Sequence, residues 1–298
     1  MSDGSRYLRR QDDRAPRRFR RGMYVLPSLF TAANVLLGYY AVLQVIHGAI
    51  QYGMGLQGMW HFNNAAKAIG FAVLFDGLDG RIARMTRTMS DFGRELDSLA
   101  DVITFGIAPA VLAWAWGFRE VSPDLARQEI TALLPRLGAI ASFLFLIAGA
   151  SRLARFNITV NPQPSNPGRP GKKYFVGLPI PAGAGVIAAA VHFQYGEPLP
   201  SWWTSLMWLC IIVLTAYLMV STWRFYSFKE INLFAPQSFR LVVVFGLLLA
   251  GILLFSGPVL LGIALTYMFS GVFWRLQWIF RRRSDPPPPT YTQASQPS

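Results

Sequence analysis

Asp76, Asp79, Asp97 and Asp101 are spaced so that negative charge must gather. Helix positions three apart differ by about 60° and positions four apart by about 40°, so Asp76 and Asp79 share one face of one helix, and Asp97 and Asp101 share one face of another. A short turn around Ser90 to Gly93 makes these helices antiparallel neighbours and brings both pairs to the same end. Carboxylates packed together at a membrane boundary repel one another and are expensive to desolvate unless a cation compensates them. A hard divalent ion, Mg²⁺ or Mn²⁺, suits such a site. It takes carboxylate oxygens and keeps positions open for water or phosphate, and two such ions about 3.5–4 Å apart clamp both sides of a phosphoryl displacement. Gly80 and Ala83 leave room beside Asp76 and Asp79 for a bulky phosphorylated ligand, and Arg84 can fork onto phosphate oxygens. For Arg81, Asp91, Arg94 and Glu95 the simpler reading, charges seated at the membrane interface, is preferred.

The elements that must hold these residues are apolar helices. Of the 298 residues 53% are hydrophobic and only 14% charged, against about 45–50% and 25% in ordinary soluble domains, which argues against a soluble globular enzyme. Eight apolar stretches, 27–48, 66–88, 92–117, 134–156, 178–195, 203–224, 240–256 and 258–280, are predicted as transmembrane helices. Charge in the connections tests that number. Residues 49–66 carry no Lys, Arg, Asp or Glu, 118–133 carry two arginines against three acids, and 196–202 carry only Glu197. The alternate connections hold four arginines in 81–94, then Arg152, Arg155, Arg169, Lys172 and Lys173, then Arg224, Lys229 and Arg240. This alternation places both termini and the aspartates on the cytoplasmic side of a multi-pass protein of the cell (inner) membrane. It also explains the net charge of +13 as topology signals and lipid or phosphate contacts, with no nucleic acid needed. Residues 1–22, with eight arginines, read as a basic cytoplasmic arm. Residues 284–298, with five prolines, read as a disordered tail. The single cysteine, Cys210, excludes a disulfide framework and reads as a small buried hydrophobe. Three scattered histidines, His47, His61 and His192, read as packing or interface residues, and the tryptophans near helix ends, Trp60, Trp116, Trp203 and Trp274 among them, as an aromatic belt.

In full, residues 76–101 follow D-x2-D-G-x2-A-R-x8-G-x3-D-x3-D. At every position this resembles the motif of the CDP-alcohol phosphatidyltransferase family. The resemblance implies an all-α polytopic membrane enzyme with a six-helix core, here residues 23–225 followed by two additional helices in 226–283. It also implies a homodimer that moves a phosphatidyl group from CDP-diacylglycerol to an alcohol and releases CMP. By the same resemblance Asp76, Asp79, Asp97 and Asp101 hold two divalent ions, Mg²⁺ or Mn²⁺, with Asp101 also the general base. Gly80, Ala83, Arg84 and Gly93 would then shape or contact the nucleotide and its diphosphate. Thr31 and Asn34, in the first-helix run Leu26 to Asn34, and Ser90 would add further CDP-lipid contacts.

Two more segments, Ser151-Arg152-Leu153-Ala154-Arg155-Phe156-Asn157 and Lys173 to Ala182, resemble those family members whose acceptor is L-serine. Physical chemistry agrees: serine brings a carboxylate, and Arg152 and Arg155 lie three apart at one helix end, so with Lys173 they are the candidate serine-binding residues. Their competing role is to anchor that helix end at the membrane interface. Other acceptors within the family, such as glycerol phosphate, inositol phosphate or choline, are the nearest alternative, and an ion-coupled transporter is the rival from another class. No G-x-G-x-x-G, P-loop or G-x-S-x-G motif is present, which argues against a dinucleotide enzyme, an ATP-driven pump and an ordinary serine hydrolase.

Overall fold

The computed structural model describes residues 17–86, 91–119, 128–158, 164–166, 174–227 and 239–281. Ser90, Lys173, most of the basic arm and the Pro-rich tail lie outside them. The helices are α1 (Arg17–Gly53), α2 (Met59–Thr86), α3 (Asp91–Asp101), α4 (Ala108–Gly117), α5 (Gln128–Ile158), α6 (Ile180–Phe193), α7 (Trp202–Val220), α8 (Phe239–Leu254) and α9 (Ser256–Arg281). A π-helical segment, Val102–Ile107, fuses α3 to α4, so a helical segment stands at each of the eight expected places. Among the described residues five stretches, in α1, α3–α4, α5, α7 and α9, are long and apolar enough to cross a bilayer, whereas α6 has only 14 residues.

Three helices start well before the expected bounds: α1 ten residues before position 27, α2 seven before position 66 and α5 six before position 134. At the start of α2 the extra turns are held by tertiary contacts, since His61 Nδ1 meets Gln44 Oε1 at 2.6 Å and Phe62 stacks on Tyr52 at 5.8 Å. The break between α8 and α9 falls at Phe255 rather than at Gly257, which instead packs on the Phe193 backbone.

Contacts between helix ends fix the direction of each helix. On α1 and α2, Tyr52 meets Phe62 and Phe30 meets Phe75, so the two are antiparallel. Trp208 Nε1 donates to the Ala113 carbonyl where α4 ends and α7 begins, and Arg155 reaches Val220 where α5 and α7 both end. His192, at the end of α6, bonds Asn63 on α2 and Ser256 at the start of α9. One end of the bundle therefore collects residues 54–58, 194–201 and 255. The other, the site end, collects the ends of α2, α5 and α7 and the start of α3. One hydrophobic core, including Phe62, Ile69, Phe105, Phe145, Ile187 and Ile212, runs through the bundle, and Met268 of α9 is fully buried in it.

Two sequence expectations are corrected here. Cys210 is exposed, because a helix apolar all round, such as α7, does not reveal which face packs inward. Trp116 belongs to the core rather than to a belt: it is 2% exposed, crosses Trp208 edge-on at 5.1 Å and donates Nε1–H to the Glu197 carbonyl. Trp60, Trp203 and Trp274 do face outward.

Candidate active site

Asp76 of α2 meets Asp97 and Asp101 of α3, with one carboxylate oxygen of each within 4.8 Å of the others. Asp76 and Asp97 are half-buried and Asp101 is only 9% exposed. Asp79, Gly80, Ala83 and Arg84 follow on the last turns of α2, but their side chains, like Ser90, lie outside the described residues. Gly93 opens α3 one turn before Asp97. Three hard oxygen donors of one sign, partly withdrawn from water, form the donor set that a divalent cation prefers.

The helix changes winding immediately after Asp101, where a regular helix is expected over 92–117. Pro109 supplies the reason. It has no N–H to donate to Phe105 and its ring crowds that carbonyl, so the preceding turn widens and Ala108 N–H reaches back five residues to Ile103. The widened turn is braced from α1: Thr104 Oγ1 donates to the Asn34 carbonyl at 3.0 Å. A Cβ on Gly38 would stand 2.7 Å from Thr104 Oγ1 and 2.8 Å from its Cα, so only glycine allows this crossing. Asn34 therefore stands at the crossing itself, and Thr31 lies one turn earlier on α1. Both are buried, at 3% and 6% exposure, and Asn34 Oδ1 has no hydrogen-bond partner among the described residues. Such an orphaned buried acceptor costs free energy unless a ligand or water supplies a donor.

The end of α5 forms the other flank. Arg152 is buried, interacts electrostatically with Asp101, Tyr267 and Arg155, and keeps Nε without a hydrogen-bond partner among the described residues. Arg155 is spent differently, donating from Nη1 to the Val220 carbonyl at 3.0 Å and from Nη2 to the Ser221 carbonyl at 3.3 Å. An open recess lies against these residues, walled by Arg152, Arg155, Phe156 and the short strand β1 (Tyr174–Val176). Antiparallel β2 (Arg224–Tyr226) pairs with β1, placing Phe175 opposite Phe225. Gly177 closes the turn beyond β1 at φ +76°, where a Cβ would strike the Met219 and Ser221 carbonyls. Arg224 lies over the rings of Trp274, 5.0 Å away, and Tyr174, 5.7 Å away, and partial burial lowers its pKa from the usual guanidinium value.

Sequence reasoning missed three supports. Asn157 Nδ2 donates to Ser98 Oγ at 2.9 Å, tying α5 to α3 between the two aspartates. Asn166, fully buried, accepts the Arg224 N–H at 2.8 Å. Tyr267 of α9 donates to the Tyr226 carbonyl at 3.1 Å. Asn157 ends the segment that begins at Ser151 and carries both arginines, whereas nothing in the spacing singles out the other two.

Residues 24–202 match the sequence model of the CDP-alcohol phosphatidyltransferases. Among similar curated proteins, one from Helicobacter pylori is 36% identical over 230 residues, 75% of this chain and 80% of its own length. The protein of a second H. pylori strain is 35% identical over 87% of this chain and 92% of its own length. A Bacillus subtilis protein is 30% identical over 70% of this chain and 93% of its own length. All three are named CDP-diacylglycerol-serine O-phosphatidyltransferase.

Proposed function

The chain belongs to the CDP-alcohol phosphatidyltransferase family, and from that membership we propose that it transfers the phosphatidyl group of CDP-diacylglycerol to the hydroxyl of L-serine, giving phosphatidylserine and CMP. The observation that carries the reading is the convergence of Asp76, Asp97 and Asp101 within 4.8 Å, at the end of the bundle that also holds Arg152. The names of the relatives support serine as the acceptor.

Asp76, Asp97 and Asp101, with Asp79 one turn along α2, would hold two divalent ions, Mg²⁺ or Mn²⁺. When bound, such ions neutralise diphosphate charge and favour departure of the nucleotide. The chain's own residues do the rest. Thr31 and Asn34 meet the nucleotide from α1, and Asn34 Oδ1, which has no partner among the described residues, offers an acceptor to a base or sugar donor. Arg84 forks onto the diphosphate, beside the space left by Gly80, Ala83 and Gly93, and Ser90 adds a polar contact. The serine carboxylate enters the recess toward Arg152, whose buried guanidinium has a donor to spare, with Arg155 and Lys173 adding positive potential. Asp101 takes the proton of the serine hydroxyl as its oxygen bonds to the lipid-linked phosphorus and the bond from that phosphorus to the CMP oxygen breaks. Catalysis is then positioning and electrostatics rather than covalent chemistry on the protein.

The site end faces the cytoplasm of the inner membrane in this reading, because the alternation of basic residues along the sequence puts it there and both serine and the released CMP are water-soluble. The lipid tails enter sideways from the bilayer, and the working unit is a homodimer. The acceptor is tested by giving the purified protein CDP-diacylglycerol with a mixture of labelled serine, glycerol phosphate, inositol phosphate and choline, and separating the lipid products by thin-layer chromatography. Label from serine alone supports the reading, and label from another alcohol overturns it.

A further inference from the structure

Strand β1 walls the recess beside Arg152, yet a three-residue strand cannot hold its own position. What fixes it is a chain of contacts that ends on α9, a helix wholly outside the 24–202 segment that matches the family. Pairing with β2 sets the register of β1. Phe225, at the centre of β2, is fully buried and its ring fills the place a side chain at Gly271 would take: a Cβ there would lie 2.2 Å from Phe225 Cζ. Four residues earlier on the same face of α9, Tyr267 packs its ring 5.8 Å from that of Phe225 and donates its hydroxyl to the Tyr226 carbonyl. Trp274, one turn further along, receives the Arg224 guanidinium. α9 is itself immobilised in the core, since Met268 is fully buried with its sulfur 3.5 Å from Thr215 Oγ1.

We propose that Tyr267 is a positioning residue for acceptor binding: together with Gly271 it fixes the β1–β2 clasp that walls the recess beside Arg152. Its ring and hydroxyl hold β2 in place, β2 holds β1, and Tyr174 to Val176 define how far the acceptor sits from Arg152. Tyr267 also lies close enough to Arg152 for the charge of one side chain to be felt by the other. The proposal rests on the recess being the acceptor site, as argued under the proposed function. It predicts that acceptor recognition depends on a part of the chain that the family match does not include.

The test uses full-length purified protein in mixed micelles with CDP-diacylglycerol, reading CMP release against serine concentration and thermal unfolding in parallel. Tyr267→Phe keeps the ring packing and removes the hydroxyl, so KM for serine should rise about three- to tenfold, as expected for one lost hydrogen bond. The rise should exceed any fall in kcat, and KM for CDP-diacylglycerol should stay within about twofold of wild type on the same bookkeeping. Gly271→Ala, which leaves the hydroxyl intact and displaces Phe225, should give the same split. Unchanged serine KM in both variants overturns the proposal, and so does an equal rise in both KM values, which is what a merely structural role would give. If Tyr267→Phe unfolds early, Gly271→Ala decides alone. If wild type proves to use another alcohol, the serine assignment fails, and KM for that alcohol in the same two variants still decides the role of Tyr267.

Discussion

Asp97 is held half-buried on α3 within 4.8 Å of two other carboxylates, a costly arrangement that a bound divalent cation would offset. Asp97→Asn keeps the shape and removes the charge, so CMP release should fall by about a hundredfold or more, because loss of metal-held charge stabilisation is worth several kcal/mol at about 1.4 kcal/mol per decade. The variant should still insert and purify, and its residual activity should require more divalent ion. Near-normal turnover would reduce the aspartates to interfacial charges. For Arg84→Lys, the charge survives and the bidentate fork does not, so the rate should drop by about tenfold with every acceptor tried. A loss confined to one acceptor would move Arg84 out of the nucleotide site. The two arginines of α5 should behave differently from each other. Arg152→Ala removes a buried guanidinium with a spare donor and should raise serine KM by about one to two decades, from about 1.5–3 kcal/mol for a charged hydrogen bond. Arg155→Ala leaves the Val220 and Ser221 carbonyls unpaired and should show first as a lower unfolding temperature. The aspartates were legible in the sequence because carboxylates at helical spacing in an apolar chain are hard to accommodate without a cation. The difference between Arg152 and Arg155 was not legible, since both stand in one segment and only the end of α7, distant in sequence, separates their roles.

At the scale of elements, the crossing of α1 with the π-helical turn decides where Thr31 and Asn34 stand. Gly38→Ala would force a Cβ to 2.7–2.8 Å from Thr104 side-chain and backbone atoms. The helices must separate, at about 1–3 kcal/mol by analogy with overpacked cores. KM for CDP-diacylglycerol should rise while serine KM moves less, a split read from initial rates with each substrate varied in turn. Equal effects on both would mean that α1 does not serve the nucleotide side. The positions of the helices could be read from the sequence because each centres on an apolar run, even where, as between α1 and α2 or α8 and α9, no charge bounds it. The winding of Val102–Ile107 could not, because Pro109 signals only a disturbance, and whether the helix kinks, breaks or widens depends on the Thr104 brace supplied from α1. The strands β1 and β2 escaped for a related reason: three residues carry no alternation, and their pairing depends on Phe225 finding the gap at Gly271.

For the whole molecule, contacts between the described helix ends divide those ends into two sets, and the alternation of basic residues along the sequence predicts which set faces the cytoplasm. In a Cys210→Ala background, Ile158→Cys at the site end and Gln57→Cys at the opposite end should differ toward a membrane-impermeant maleimide. Gln57→Cys should label in intact spheroplasts and Ile158→Cys only after permeabilisation, and the reverse pattern would invert the orientation. Alternating charge carries an expectation of sidedness because insertion responds to it directly, and this labelling tests it. Which faces pack inward was much less legible, as the exposed Cys210 and the buried Trp116 illustrate, because an apolar helix in a membrane bundle lacks the polar face that reveals its orientation in a soluble protein. The central claim is that the carboxylate cluster and the recess beside Arg152 together join a CDP-linked lipid to serine, and it is tested most directly by product stoichiometry. Purified protein with CDP-diacylglycerol, labelled serine and a divalent ion should release one CMP for each labelled lipid formed, with both products lost on chelation and restored on adding the ion back. CMP released without serine in the mixture and unaffected by chelation would contradict the account.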